Sequence, residues 1–112
     1  VEAFTLVGDV KGRTAIMVDD MTTTAGTLCS AAKILDRHGA REIYAAVTHA
    51  TITELGLNRI KESPIKELII TDTVPPPDIT GFPVKILSVA ELLGEAIRRI
   101  HENESVSSLF RL

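Results

Sequence analysis

The sequence has one cysteine, Cys29, no tryptophan, one tyrosine and three phenylalanines. A lone thiol cannot form an internal disulfide framework, and with no further Cys or His at metal spacing around it, it cannot build a zinc site. Cys29 reads as a small core or helix residue. Long hydrophobic runs are also missing. Stretches such as IYAAV and ELIITDTV fall far short of the roughly 20 residues that cross a bilayer, and no secretory pattern opens the chain. No membrane association is expected, and the cytoplasm is the expected location. There is no excess of positive charge either. A net charge of -3 with interspersed signs leaves no basic stripe of the kind that reads a phosphate backbone, so nucleic acid is not an expected partner.

What is present is an aliphatic composition, 45% hydrophobic over 112 residues, enough for the core of one domain or part of one. Strand-like and helix-like segments alternate, which predicts an α/β fold with a parallel sheet and helices on both faces. The run TAIMV at Thr14 to Val18 is continuously apolar, as for a central parallel strand buried on both sides. Helical spacing follows from about Gly26, through Leu28, Ala31, Ala32 and Leu35, to Gly39 at the place of a left-handed C-terminal cap. A second strand is predicted at Ile43 to Thr48 and a second helix at Glu54 to Glu62, which Ser63-Pro64 should stop. Leu68 to Thr71 and Val84 to Leu87 read as further strands, separated by a loop that must contain Pro75-Pro76-Pro77. Ser88 can cap a last helix carrying Ala90, Leu93, Ala96, Ile97 and Ile100 on one face, and the tail SVSSLFRL has no periodicity.

The stretch VDDMTTTAGT, residues 18 to 27, carries the chemistry. In an open parallel sheet the carboxyl ends of the strands face the ligand crevice, which puts Asp19 and Asp20 at the mouth of a site. Adjacent residues of a strand point to opposite sides, so the two acids suit separate acceptors for vicinal sugar hydroxyls better than a mutual acid/base pair. Thr23, Thr24, Ala25, Gly26 and Thr27 then lead into a helix N-terminus, where free amides and the macrodipole favour an anion. Together they suggest a phosphorylated polyol.

DDMTTTAGT resembles the phosphoribosyl-binding loop of the type I phosphoribosyltransferase fold. GDVKGRTAIMVDD, AAVTHA, TDTVP, VKILSVAELLGEAIRRIH and the terminal SVSSLF narrow the likeness to the C-terminal part of the ribose-phosphate pyrophosphokinases, the PRPP synthetases, from about Val7 to Phe110. The resemblance implies diphosphate transfer from Mg-ATP to ribose 5-phosphate, giving AMP and PRPP. It places the ribose hydroxyls on Asp19 and Asp20 and the 5-phosphate on Thr23 to Thr27. Ser105 and Ser107 fall in a segment that the family uses for a regulatory phosphate or ADP site between subunits. The likeness further implies a homo-oligomer, dimers assembled into a hexamer, and Mg2+ held mainly by residues outside this stretch.

Thr23 stands where many family members have an acid, which puts an acidic role there in doubt. The family's ATP lobe, diphosphate loop and basic mobile loop are not in these residues, so the chain is expected to be part of a longer enzyme, residues 1–112 supplying the ribose 5-phosphate part, and inactive alone. A base-transferring phosphoribosyltransferase and a non-catalytic regulatory paralogue are the competing expectations. His49 is read as structural or subunit-contacting, His38 and His101 as last-turn helix residues, Arg98 and Arg99 as a solvated helix face, and Leu109 and Phe110 as candidates to pack the tail into a groove.

Overall fold

The computed structural model describes residues 5–111; the outermost positions of the expected domain, 1–4 and 112, lie outside the described residues. Four parallel strands, β1 (Thr14–Thr22), β2 (Glu42–Ala50), β3 (Glu67–Thr71) and β4 (Val84–Leu87), form one sheet in the order β1-β2-β3-β4. Helix α1 (Gly26–Arg37) joins β1 to β2, α2 (Glu54–Glu62) joins β2 to β3, and α3 (Ala90–His101) follows β4. Segment 72–83, with its four prolines, makes the β3 to β4 crossover without a helix and packs Ile79 and Phe82 against the core instead.

Period-two alternation decides what the core contains. Ile43, Ala45 and Val47 of β2 and Leu68 and Ile70 of β3 are buried, as are Leu28, Cys29 and Ala32 of α1 and Ile60 of α2. Ala32 and Ala45 have no exposed surface, and small side chains at both positions let helix and sheet approach closely. At the end of α1, Gly39 has φ +85° and its amide donates to the Asp36 carbonyl while the next amide reaches Leu35, the left-handed cap expected there. Thr53 caps α2, its hydroxyl accepting from the Gly56 amide at 3.1 Å.

Two expectations, one about burial and one about capping, are corrected. Strand β1 is not buried on both sides: it lies at the edge of the sheet, Ala15 and Met17 face the core, and Ile16 and Val18 are 64% and 79% exposed. Continuous apolarity signalled a strand correctly, but it cannot say whether both faces are covered within the same stretch of chain. The stripe on α3 is likewise real and unburied, with Ile97 67% and Ile100 66% exposed. The start of α3 depends on more than Ser88: the Ser88 hydroxyl accepts from the Ala90 amide, and Asp72, across the sheet end, accepts from the Val89 amide at 2.8 Å. The Val89 amide first, and then the Ser88 hydroxyl, hold the Asp72 carboxyl below its ordinary pKa.

Arg98 and Arg99 do not form a plain solvated face. Arg98 pairs with Glu95, Glu102 and Glu104, and Arg99 with Glu95. Arg99 also donates to the Ser105 carbonyl and the Ser108 hydroxyl, so it fixes the tail to α3. The tail closes in a 3-10 turn, Ser107–Phe110, whose Phe110 is 83% exposed. An arginine, not an aromatic in a groove, ties the tail down.

Candidate sugar-phosphate site

The β-ladder between β1 and β2 runs through Thr22, pairing Asp19 with Val47, Met21 with His49 and Thr22 with Ala50. Both acids therefore belong to the strand and not to the loop after it, a correction to the boundary read at Val18. They still alternate: Asp19 is partly buried on the helix-bearing side and Asp20 is exposed on the other. One Asp19 oxygen accepts from the Asp20 amide at 2.8 Å, which fixes that carboxylate and leaves its second oxygen for a ligand.

The loop after them is held from behind by the segment that follows β2. The Thr51 amide donates to the Thr22 carbonyl (3.1 Å) and the Thr53 amide to the Thr23 carbonyl (3.0 Å). The Thr53 hydroxyl adds a longer bond to Thr23, and Arg59 Nη1 donates to the Thr24 carbonyl at 3.1 Å. Three successive carbonyls thus point toward α2. Because a trans peptide is planar with its C=O and N–H antiparallel, the amides of Thr23, Thr24 and Ala25 point the other way. Those amides, and those of Gly26 and Thr27 in the first turn of α1, have no hydrogen-bond acceptor among the described residues. The first loop-to-helix bond is from Cys29 to the Ala25 carbonyl.

Ala25 makes the corner. It adopts φ 57° and ψ 17°, a left-handed conformation that costs a non-glycine residue about 1 kcal/mol, and its methyl is buried in the core at 3% exposure. It can serve a ligand only through its backbone. Right-handed and left-handed residues in succession form a concavity of amides suited to an anion. Behind the corner, a β-carbon on Gly56 would run into the Thr23 carbonyl oxygen, so the start of α2 lies directly against the loop.

Asp19, Asp20 and residues 21–28 line one open cavity of about 350 Å³. All seven sequence-predicted positions from Asp19 to Thr27 therefore meet at a single place. Ser105 and Ser107 do not join it: they lie after α3, where the Ser105 hydroxyl accepts from the Ser107 amide. Thr23 shares a 3.0 Å hydroxyl contact with Thr51. Since the Thr51 hydroxyl donates to the Thr22 carbonyl, Thr23 supplies the hydrogen of that pair and keeps acceptor lone pairs free.

His49 is turned to a neighbour. Thr73 donates its hydroxyl hydrogen to the Thr48 carbonyl at 3.0 Å, so His49 Nδ1, 2.7 Å from the Thr73 hydroxyl oxygen, is the donor in the His49–Thr73 bond. Cys29 is buried and unpaired, and burial raises its thiol above the ordinary pKa. Among the described residues no group of three or more His, Cys, Asp or Glu is placed to hold a metal ion. Thr51, Thr53 and Arg59 were missed from the sequence. The one available signal was their place after β2, since parallel neighbours bring the loops at their carboxyl ends together.

The domain is thus a parallel α/β sheet that carries two acids and a turn of unpaired amides at one strand end. The chain belongs to the Phosphoribosyl synthetase-associated domain family, which it matches over residues 2–111. It is 52% identical over 112 residues to the ribose-phosphate pyrophosphokinase of Gloeobacter violaceus, covering 99% of this chain and 34% of that protein. The like-named protein of Caldanaerobacter subterraneus is 54% identical over 110 residues, 97% of this chain and 35% of the relative. Among solved structures, the phosphoribosylpyrophosphate synthetase of Mycobacterium smegmatis superposes with a TM-score of 0.79 at 40% identity, over 87% of this chain and 33% of that one. The chain thus spans about a third of the length of these relatives.

Proposed function

We propose that this chain is the ribose 5-phosphate half-site of a ribose-phosphate pyrophosphokinase, a C-terminal part with the type I phosphoribosyltransferase fold. The observation that carries the reading is the run of unpaired amides at residues 23–27, opening into the same cavity as Asp19 and Asp20. Amides without acceptors attract a dianion, and two acids attract hydroxyls; ribose 5-phosphate carries both kinds of group.

In the reaction, the anomeric hydroxyl of ribose 5-phosphate attacks the β-phosphorus of ATP, the α,β-bridging bond breaks, and AMP leaves as PRPP forms. Asp19 and Asp20 accept from the 2- and 3-hydroxyls, while the amides of 23–27 hold the 5-phosphate. Gripping the sugar at both ends leaves the anomeric oxygen one orientation, and positioning is the main contribution a protein makes to phosphoryl-type transfer. Mg2+ supplies charge neutralisation on the nucleotide when bound, with ligands from outside these residues. The ATP site and the basic residues facing the transferred group also come from the remainder of a longer enzyme, and residues 1–112 alone do not turn over. Thr23 removes a negative charge beside the phosphate, which lowers repulsion. The same reading extends to a cytoplasmic homo-oligomer, a hexamer, with ADP or phosphate as regulator at Ser105 and Ser107.

Titration calorimetry of the chain with ribose 5-phosphate tests the site. Loss of one charge-assisted contact, about 1.5 to 3 kcal/mol, predicts that Asp20→Asn weakens binding by roughly ten- to a hundredfold. Equal affinity of the two proteins, or no binding by the unaltered chain, refutes the assignment.

A further inference from the structure

Arg59 does not line the cavity shared by Asp19 and the threonine loop; it stands behind the loop, in a neighbouring cleft with Gly26, Cys29, Ser30, Lys33 and Glu62. From there its Nη1 donates to the Thr24 carbonyl at 3.1 Å and lies 3.4 Å from the position of a β-carbon on Gly26. Among the three carbonyls that are tied back, Thr22 and Thr23 each receive a main-chain amide, whereas Thr24 is held by this side chain alone.

We infer that Arg59 is a positioning residue for the anion site, acting through the Thr24–Ala25 peptide; the inference rests on the ribose 5-phosphate reading above. Peptide planarity makes the carbonyl and the following amide one rigid unit. Drawing the Thr24 oxygen toward α2 aims the Ala25 N–H at the cavity, at the left-handed corner where the concavity turns. Without the guanidinium the Thr24 oxygen has no donor, and the peptide can rotate its oxygen into the cavity, where it repels a phosphate. The guanidinium also leaves a positive charge directly behind the amides, at a distance where a partly exposed charge still attracts a dianion. Arginine suits the place because its planar fork can keep one N–H on the carbonyl while its other N–H groups remain free for solvent.

The test compares the unaltered chain with Arg59→Met, Arg59→Lys and Asp20→Asn, using ribose 5-phosphate in calorimetry and in amide NMR titration. Arg59→Met should bind on the order of tenfold more weakly, the size expected for one charge-assisted hydrogen bond acting through the backbone. Its thermal midpoint should stay close to that of the unaltered chain, since an exposed side chain is removed. The Ala25 amide proton should move downfield on ligand addition in the unaltered chain and lose that response in Arg59→Met, and Arg59→Lys should recover part of both. If Arg59→Met keeps full affinity and the Ala25 response while Asp20→Asn is weakened, Arg59 has no positioning role and the site reading stands. If Asp20→Asn is also unchanged, the site reading itself fails. Weakened binding with an intact Ala25 response overturns the peptide mechanism.

Discussion

Replacing Thr53 with alanine removes two bonds at once, and their sizes follow from the geometry. The hydroxyl accepts from the Gly56 amide at 3.1 Å in a partly buried setting, as the N-cap of α2; such a cap contributes typically about 1 kcal/mol. It also donates to the Thr23 carbonyl at 3.3 Å where solvent has access, and a long, exposed bond belongs near the low end of the range, about 0.5 kcal/mol. The sum, about 1.5 kcal/mol, corresponds to a drop of roughly 6 °C in Tm for a domain of this size. Thr53→Ser retains the oxygen and should recover most of the loss. Circular dichroism melts of the three proteins decide it. A Thr53→Ala midpoint within about 2 °C of the unaltered chain, well below the shift derived above, or a serine variant as damaged as the alanine one, refutes the assignment of the hydroxyl to both bonds.

Ile60 has no exposed surface and is the large apolar side chain that α2 buries, so Ile60→Ala should cost about 3 kcal/mol. Urea denaturation should show it as a midpoint lowered by roughly 1 to 2 M at unchanged slope; a shift confined to a few tenths of a molar would contradict its place in the core. Hydrogen bonds from two arginines, first Arg98 and then Arg99, bring the Glu95 carboxyl down from 4.5 to about 2. A depressed carboxylate contributes stability that is complete above its unfolded pKa and fades as pH falls through the folded one, so the effect lies between about pH 4.5 and pH 2. Glu95→Gln should therefore flatten the acid limb of the stability profile over that window, and an unaltered limb would show that the pairs do not persist in solution.

The strands and helices were legible because each carried its own period and its own stop signal: Gly39 after α1, Ser63-Pro64 after α2, and the three prolines before β4. What was misread was reach and cover. Two acids suggested that β1 ended at Val18, yet a ladder is made by backbone, and pairing with β2 carries it on through Thr22. Apolar Ile16 and Val18 implied burial, but an apolar run marks a strand without naming what covers each face. The acids and the threonine loop of the candidate site were local in sequence and were found. Thr51, Thr53 and Arg59 reach that loop from about 30 residues away, and each looks in isolation like an ordinary polar residue around a helix start.

Ala25 has a consequence for how a ligand would be received. A backbone that sits against its own preference, with its methyl clamped in the core, has no slack to take up on arrival of a guest. A site built on it would be preorganised: ordering entropy that a floppy loop would lose on association has already been lost on folding, so contacts made there would translate into affinity with little deduction.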